Sequence, residues 1–126
     1  MADMGLLILR VAVGVVMVLH GVIKFRRTAV FDARWLEYGL PQGSVALTGL
    51  LQVVCGLAMA GGIATRLAAL MLVPVMLVAT YVSIAKHREG FLSGATGKGW
   101  DINFLLTGAL LALIFLGGGR WALTGW

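Results

Sequence analysis

Four side chains stand out in an apolar chain: Arg10, His20, Gln52 and Asp101. Arg10 and His20 lie inside the run Met4 to Phe25, MGLLILRVAVGVVMVLHGVIKF, which is long and apolar enough to cross a bilayer. Ionisable groups in such a run are expensive and need a reason. A guanidinium offers five donors in a fixed fork. Arg10 therefore suits an anion or quinone-carbonyl clamp. Equally, it suits snorkelling to the interface beside Asp3, seven residues earlier on the same face. His20 fits an interhelical hydrogen bond, a quinone or proton contact, or metal or haem ligation. Gln52 fits an interhelical hydrogen bond or a ligand contact. Asp101 suits an N-cap, where a carboxylate matches the helix dipole, or an acid–base partner for His20. Cys55, a lone thiol in apolar surroundings, reads as packing, as do Met17, Met59, Met71 and Met76. No metal site is expected from these types, and they leave the catalytic residues and the question of enzymatic activity open.

The elements that position these residues follow from hydropathy. The composition is 60% hydrophobic and 12% charged, with mean hydropathy +0.99, far from a soluble domain. The expected fold is an all-α integral membrane four-helix bundle with antiparallel up-down spans at about 5–23, 45–63, 67–85 and 101–116, forming one domain over 1–126. MADM lacks a basic n-region, so the first span is expected to be retained rather than cleaved. Between spans one and two, Phe31, Trp35 and Tyr38 fall at i, i+4, i+7. That spacing predicts a short interfacial helix or an aromatic-anchored loop, ended by Gly39, Pro41 and Gly43. Gly61 and Gly62 end span two, and Pro74 interrupts span three.

At 100° per residue, Arg10, Gly14, Met17, Gly21 and Lys24 share one face of span one, with His20 at its flank. Thr48, Gly49, Gln52, Cys55, Gly56 and Met59 form the matching seam of span two. Met76, Thr80, Ser83 and His87 share a face of span three, and Asn103 and Thr107 pair on span four. With antiparallel spans, His20, Gln52, Ser83, His87, Asp101 and Asn103 fall at one end. Arg10 falls at the other.

Charge sets orientation and excludes other classes. Lys24, Arg26, Arg27, Arg34, Lys86, Arg88 and Lys98 lie on one side, and Arg10, Arg66 and Arg120 on the other. The positive-inside rule puts the long connections in the cytoplasm and both termini outside, in a plasma (inner) membrane. The net charge of +5 is thus explained by topology and anionic lipid, and nucleic-acid binding is not expected. One cysteine excludes an intrachain disulfide and a CxxC redox pair. The glycines of KHREGFLSGATGKGW lack the order of a phosphate loop.

LLILRVAVGVVMVLHGVIKF, the later YGLP, the GLLQVVCGLAMAGGIATRLAAL block and the GKGWDINFLLTGALL block resemble the DoxX family in order and spacing. The resemblance implies a small four-helix membrane protein tied to a membrane redox system, sulfur- and quinone-linked in some members and linked to oxidant defence in others. It would carry over Arg10, His20, Gly21, Lys24, Gln52 and Asp101. Two positions depart from the family pattern: Gln52 and Asp101 stand where Glu is frequent. Gln52 cannot titrate, which weakens proton-relay or carboxylate–metal chemistry there. The expected function is a subunit or accessory component of a redox system. Its cofactor is open, with quinone the candidate near His20, Gln52, Asp101 and Arg10. Expected partners are lipid, other membrane or peripheral proteins, and a second copy of the chain. The alternative is a non-enzymatic scaffold that recruits soluble proteins through the basic loops. A transporter or haem protein ranks lower, because the intramembrane polar set is sparse and His87 falls at the interface.

Overall fold

The computed structural model describes residues 2–26, 28–37, 39, 44–86, 88, 90–92, 94 and 99–124. Arg27, Tyr38, Pro41, Gly43, His87, Lys98 and Trp126 lie outside them, as do the side chains of Phe31 and Asp32. Among the described residues the architecture is all-helical, with α1 (Ala2–Arg26), α2 (Thr28–Glu37), α3 (Ser44–Gly61), α4 (Thr65–Tyr81) and α5 (Asp101–Leu116). A π-helical turn, Val82–Lys86, extends α4. Three helices, Ala2–Arg26, Ser44–Gly61 and Thr65–Ala85, are long and apolar enough to cross a membrane. α5 is also apolar but shorter, about 24 Å at 1.5 Å per residue. The short helix anticipated between the first two spans is α2.

The packing seam is built from glycine. A Cβ on Gly14 would lie 2.6 Å from the Gly56 carbonyl oxygen, and one on Gly21 would lie 2.6 Å from that of Gly49. As numbers rise along α1 they fall along α3, so the two helices run in opposite directions with their backbones almost touching. In hydrocarbon, where apolar burial gives no preference for protein over lipid, such close van der Waals contact is a main source of helix association. α1 buries Arg10, Val13, Gly14, Met17 and Gly21, and α3 buries Val45, Gly49, Gln52, Cys55, Gly56 and Met59. These are largely the two faces that helical periodicity picks out. α4 and α5 pair next, with Ser83 beside Asn103 at one end and Arg66 beside Phe115 at the other. Met17, Met59, Ala69, Leu72, Leu110 and Leu113 are completely buried between the four long helices. The outward faces are Leu, Ile, Val and Phe, including Ile8, Leu19, Leu57, Leu105 and Phe115.

Helix ends are closed by local chemistry. α3 ends in a Schellman motif. The Gly62 N–H donates to the Met59 carbonyl at 3.1 Å and the Ile63 N–H to that of Ala58 at 2.7 Å. Gly62 has φ +78°, which glycine adopts without a side-chain penalty. The link to α4 is therefore only Gly62, Ile63 and Ala64. It is covered by the C-terminal segment: the Thr124 hydroxyl accepts from the Ala64 N–H at 2.8 Å, and the Thr124 N–H donates to the Gly62 carbonyl at 3.1 Å. At the other end of the molecule, Phe91, Trp100 and Phe104 meet edge to face, with centroids 4.6 to 6.1 Å apart. Together with the Asp101 N–H bond to the Phe91 carbonyl at 2.8 Å, they hold the start of α5.

Candidate functional site

The face that holds Gly14 and Gly21 against α3 also aims Lys24 inward. Its Nζ donates to Gln52 Oε1 at 2.7 Å. Gln52 is buried, 3% exposed, and Lys24 is half-buried. On the neighbouring pair of helices, Asn103 Nδ2 donates to Ser83 Oγ at 3.2 Å. Asn103 is held from within α5, because the Thr107 hydroxyl donates to its main-chain carbonyl at 2.7 Å. Ser83 sits on the π-helical turn, which leaves both Val82 and Ser83 buried. Such turns interrupt helical register and frequently occur at functional sites.

Between these two polar pairs lies a cavity of about 330 Å³. Lys24, Ser44, Thr48, Ser83 and Asn103 supply its polar atoms, and Trp35, Pro74, Val75, Val78, Ala79 and Val82 its apolar walls. All five helices contribute. Its volume is at the low end of small-molecule sites, which run about 300–1,000 Å³. Pro74 stands in the α4 wall. It has no N–H, so the carbonyl four residues earlier loses its helical donor and that wall is less tightly bonded than a regular helix.

The four residues singled out by sequence are dispersed. Gln52 belongs to the lysine end, beside the cavity. His20 is exposed on the outer surface, and its Nδ1 bonds the Val16 carbonyl in its own helix at 2.8 Å. Asp101 is the first residue of α5, and its carboxylate accepts the Ile102 N–H at 2.9 Å. Lys24, which the sequence marks as the stop after span one, is the residue that meets Gln52. The signal for this was present: Lys24 shares the face of Arg10, Gly14, Met17 and Gly21, while His20 is at the flank.

Arg10 makes a separate structure at the opposite end, about 21 Å along α1 from Lys24. It is 1% exposed. Its Nε donates to the Gly118 carbonyl at 3.2 Å, Nη1 to those of Ala60 at 2.8 Å and Met59 at 3.5 Å, and Nη2 to that of Trp121 at 2.9 Å. The guanidinium thus sits at the C-terminus of α3, where the helix dipole favours a cation. Asp3 does not pair with it; Asp3 Oδ1 accepts the Arg120 N–H at 2.9 Å. Arg66 lies similarly against the end of α5, 3.5 Å from the Phe115 carbonyl. This end is a structural clamp. Among the described residues no group of three or more His, Cys, Asp or Glu side chains could hold a metal ion.

No curated protein and no solved structure matches the chain. Residues 5–85, nearly two thirds of the sequence, running from α1 into the π-helical turn, match the model of the DoxX family; on that match, the chain belongs to the DoxX family.

Proposed function

We propose that this DoxX protein is an accessory component of a membrane redox system and holds a quinone-type ligand in the cavity beside Lys24 and Gln52. The supporting observation is that cavity, a mostly apolar chamber inside a membrane bundle with two hydrogen-bonded polar pairs at its edge. A ligand from the bilayer needs apolar walls and a few fixed polar contacts, and both are present. Gln52 cannot exchange a proton, so binding and orientation suit the site better than proton relay. In this reading α5 makes the fourth antiparallel crossing. Both termini face outward, and the cavity lies at the cytoplasmic end of an inner-membrane protein.

The test is quinone analysis of lipid extracted from the purified protein, with electron transfer measured in reconstituted membranes. Wild type retains quinone, and Lys24→Met loses it along with any quinone-dependent rate. His20→Ala, altering a surface ring that bonds only its own helix among the described residues, retains both. Absence of quinone from wild type, with Lys24→Met indistinguishable in transfer rate, would remove the proposal.

A further inference from the structure

The wall that α4 gives to the cavity changes along its length. Val82 and Ser83, at the π-helical turn, are each 9% exposed. Ala79 and Val75 are half-buried, Val78 is 41% exposed, and Pro74 is exposed. Among the other described lining residues, Lys24, Trp35, Ser44, Thr48 and Asn103, none is exposed. The open part of the cavity therefore belongs to α4. Its depth follows from the helix. Pro74 stands beside the midpoint of the apolar span Thr65–Ala85, nine residues before Ser83, or about 13 Å at 1.5 Å per residue. Lys24 and Ser44, in contrast, stand in the last turn of α1 and at the first residue of α3, at one end of the bundle. An opening at the depth of Pro74 meets hydrocarbon rather than water.

We infer that the cavity is loaded sideways from the bilayer, through a mouth at Pro74 and Val78, by an amphiphile whose chain lies along α4 and whose head reaches the end lined by Lys24, Ser83 and Asn103. A chain-bearing molecule is already concentrated in the membrane. At the mouth its chain exchanges lipid for Pro74, Val75 and Val78, a change close to neutral, because lipid tails are as apolar as these side chains. Its head leaves hydrocarbon for a lining that carries hydrogen-bonding groups, and the preference for the site comes from that step. The volume of about 330 Å³ accommodates a head and the first part of a chain, so the remainder of a long tail passes the mouth into lipid. Val78 is the side chain whose size sets the opening. This inference rests on the reading that the cavity holds a ligand, but not on that ligand being a quinone.

The experiment uses the full chain in nanodiscs of zwitterionic lipid and two photoprobes. One is a fully substituted benzoquinone and the other a methyl ester, each on a decyl chain that ends in a diazirine. Adducts are mapped by peptide mass spectrometry after illumination, with and without an excess of the same molecule lacking the diazirine. Adducts gather on residues 74–79, and the excess lowers their yield about tenfold. Adducts at Leu105 and Phe115, on the outward face of α5, report ordinary lipid contact and do not fall. Val78→Trp crowds the mouth and lowers the competable yield about tenfold. A competable yield unchanged in that variant overturns the inference. So does competable quinone labelling of wild type that falls outside residues 74–79, a result that leaves the quinone reading standing and that holds even if Val78→Trp fails to fold. Competable labelling of 74–79 by the ester alone upholds the inference and removes quinone from the proposed function. If neither probe gives competable labelling, the cavity is not the ligand site and both readings fall.

Discussion

Arg10 shows how a buried charge is tolerated when, among the described residues, its hydrogen-bond partners are main-chain carbonyls. Its donors reach carbonyls on the last turn of α3 and on the segment after α5, groups that carry partial negative charge. Arg10→Met leaves those acceptors dry, at roughly 1–3 kcal/mol for each one that water cannot reach. The expected result is a markedly lower thermal midpoint in detergent and faster proteolysis after Leu116. Arg10→Lys recovers only part of the loss, because a single ammonium cannot span carbonyls as a planar fork does. Lys24→Met, by contrast, removes one bond to Gln52 and shifts the midpoint less than Arg10→Met does. On the proposed reading the two basic residues of α1 separate, Arg10 governing stability and Lys24 binding. Their difference was only half legible beforehand. Position on the helical face marked both as inward, but main-chain carbonyls at a helix end have no sequence signature, so the partners of Arg10 were invisible. Depth along the spans groups His20 with Gln52 and Asp101, but His20 stands at the flank of the α1 face. The long lysine stem on the central face is what reaches Gln52.

At the scale of elements, α1 and α3 behave as one unit because four glycines occupy their contact. Gly14→Ala places a methyl 2.6 Å from a main-chain oxygen that belongs to the facing helix and cannot swing away. Overpacking of this kind costs about 1–3 kcal/mol. Gly108→Ala in α5 has open space around it, with nothing within 4 Å, and gains helix propensity worth roughly 0.5–1 kcal/mol. A pair of unfolding titrations therefore moves in opposite directions for the same chemical change, and equal shifts would argue against the glycine seam. The seam itself was legible from heptad spacing, since in lipid small and polar residues have only the bundle interior to occupy. The π-helical turn was not legible. It depends on how α4 meets α5 around Ser83 and Asn103, which no local pattern in VSIAK announces.

Taken as a whole, the molecule has two unlike ends, a clamp of arginines on carbonyls and a cavity with lysine at its edge. The proposed orientation puts the clamp outside the cell. Leu123 and Leu92 are 76% and 75% exposed at opposite ends, and the native Cys55 is buried. In intact cells, a membrane-impermeant maleimide should label Leu123→Cys directly, and Leu92→Cys only after permeabilisation. The reverse pattern inverts the topology while leaving the fold untouched. The clamp also sets a schedule for biogenesis. The carbonyl that Arg10 Nε needs lies 108 residues further along the chain, roughly 5–20 s of synthesis at about 5–20 residues per second. For that interval the first helix carries a guanidinium whose partners after α5, the Gly118 and Trp121 carbonyls, have not yet been made. α1 therefore reaches its final depth only when the C-terminal segment closes over it, and a nascent chain stalled before Gly118 should hold Arg10 accessible to water. Assembly of the bundle is completed by the segment that follows α5.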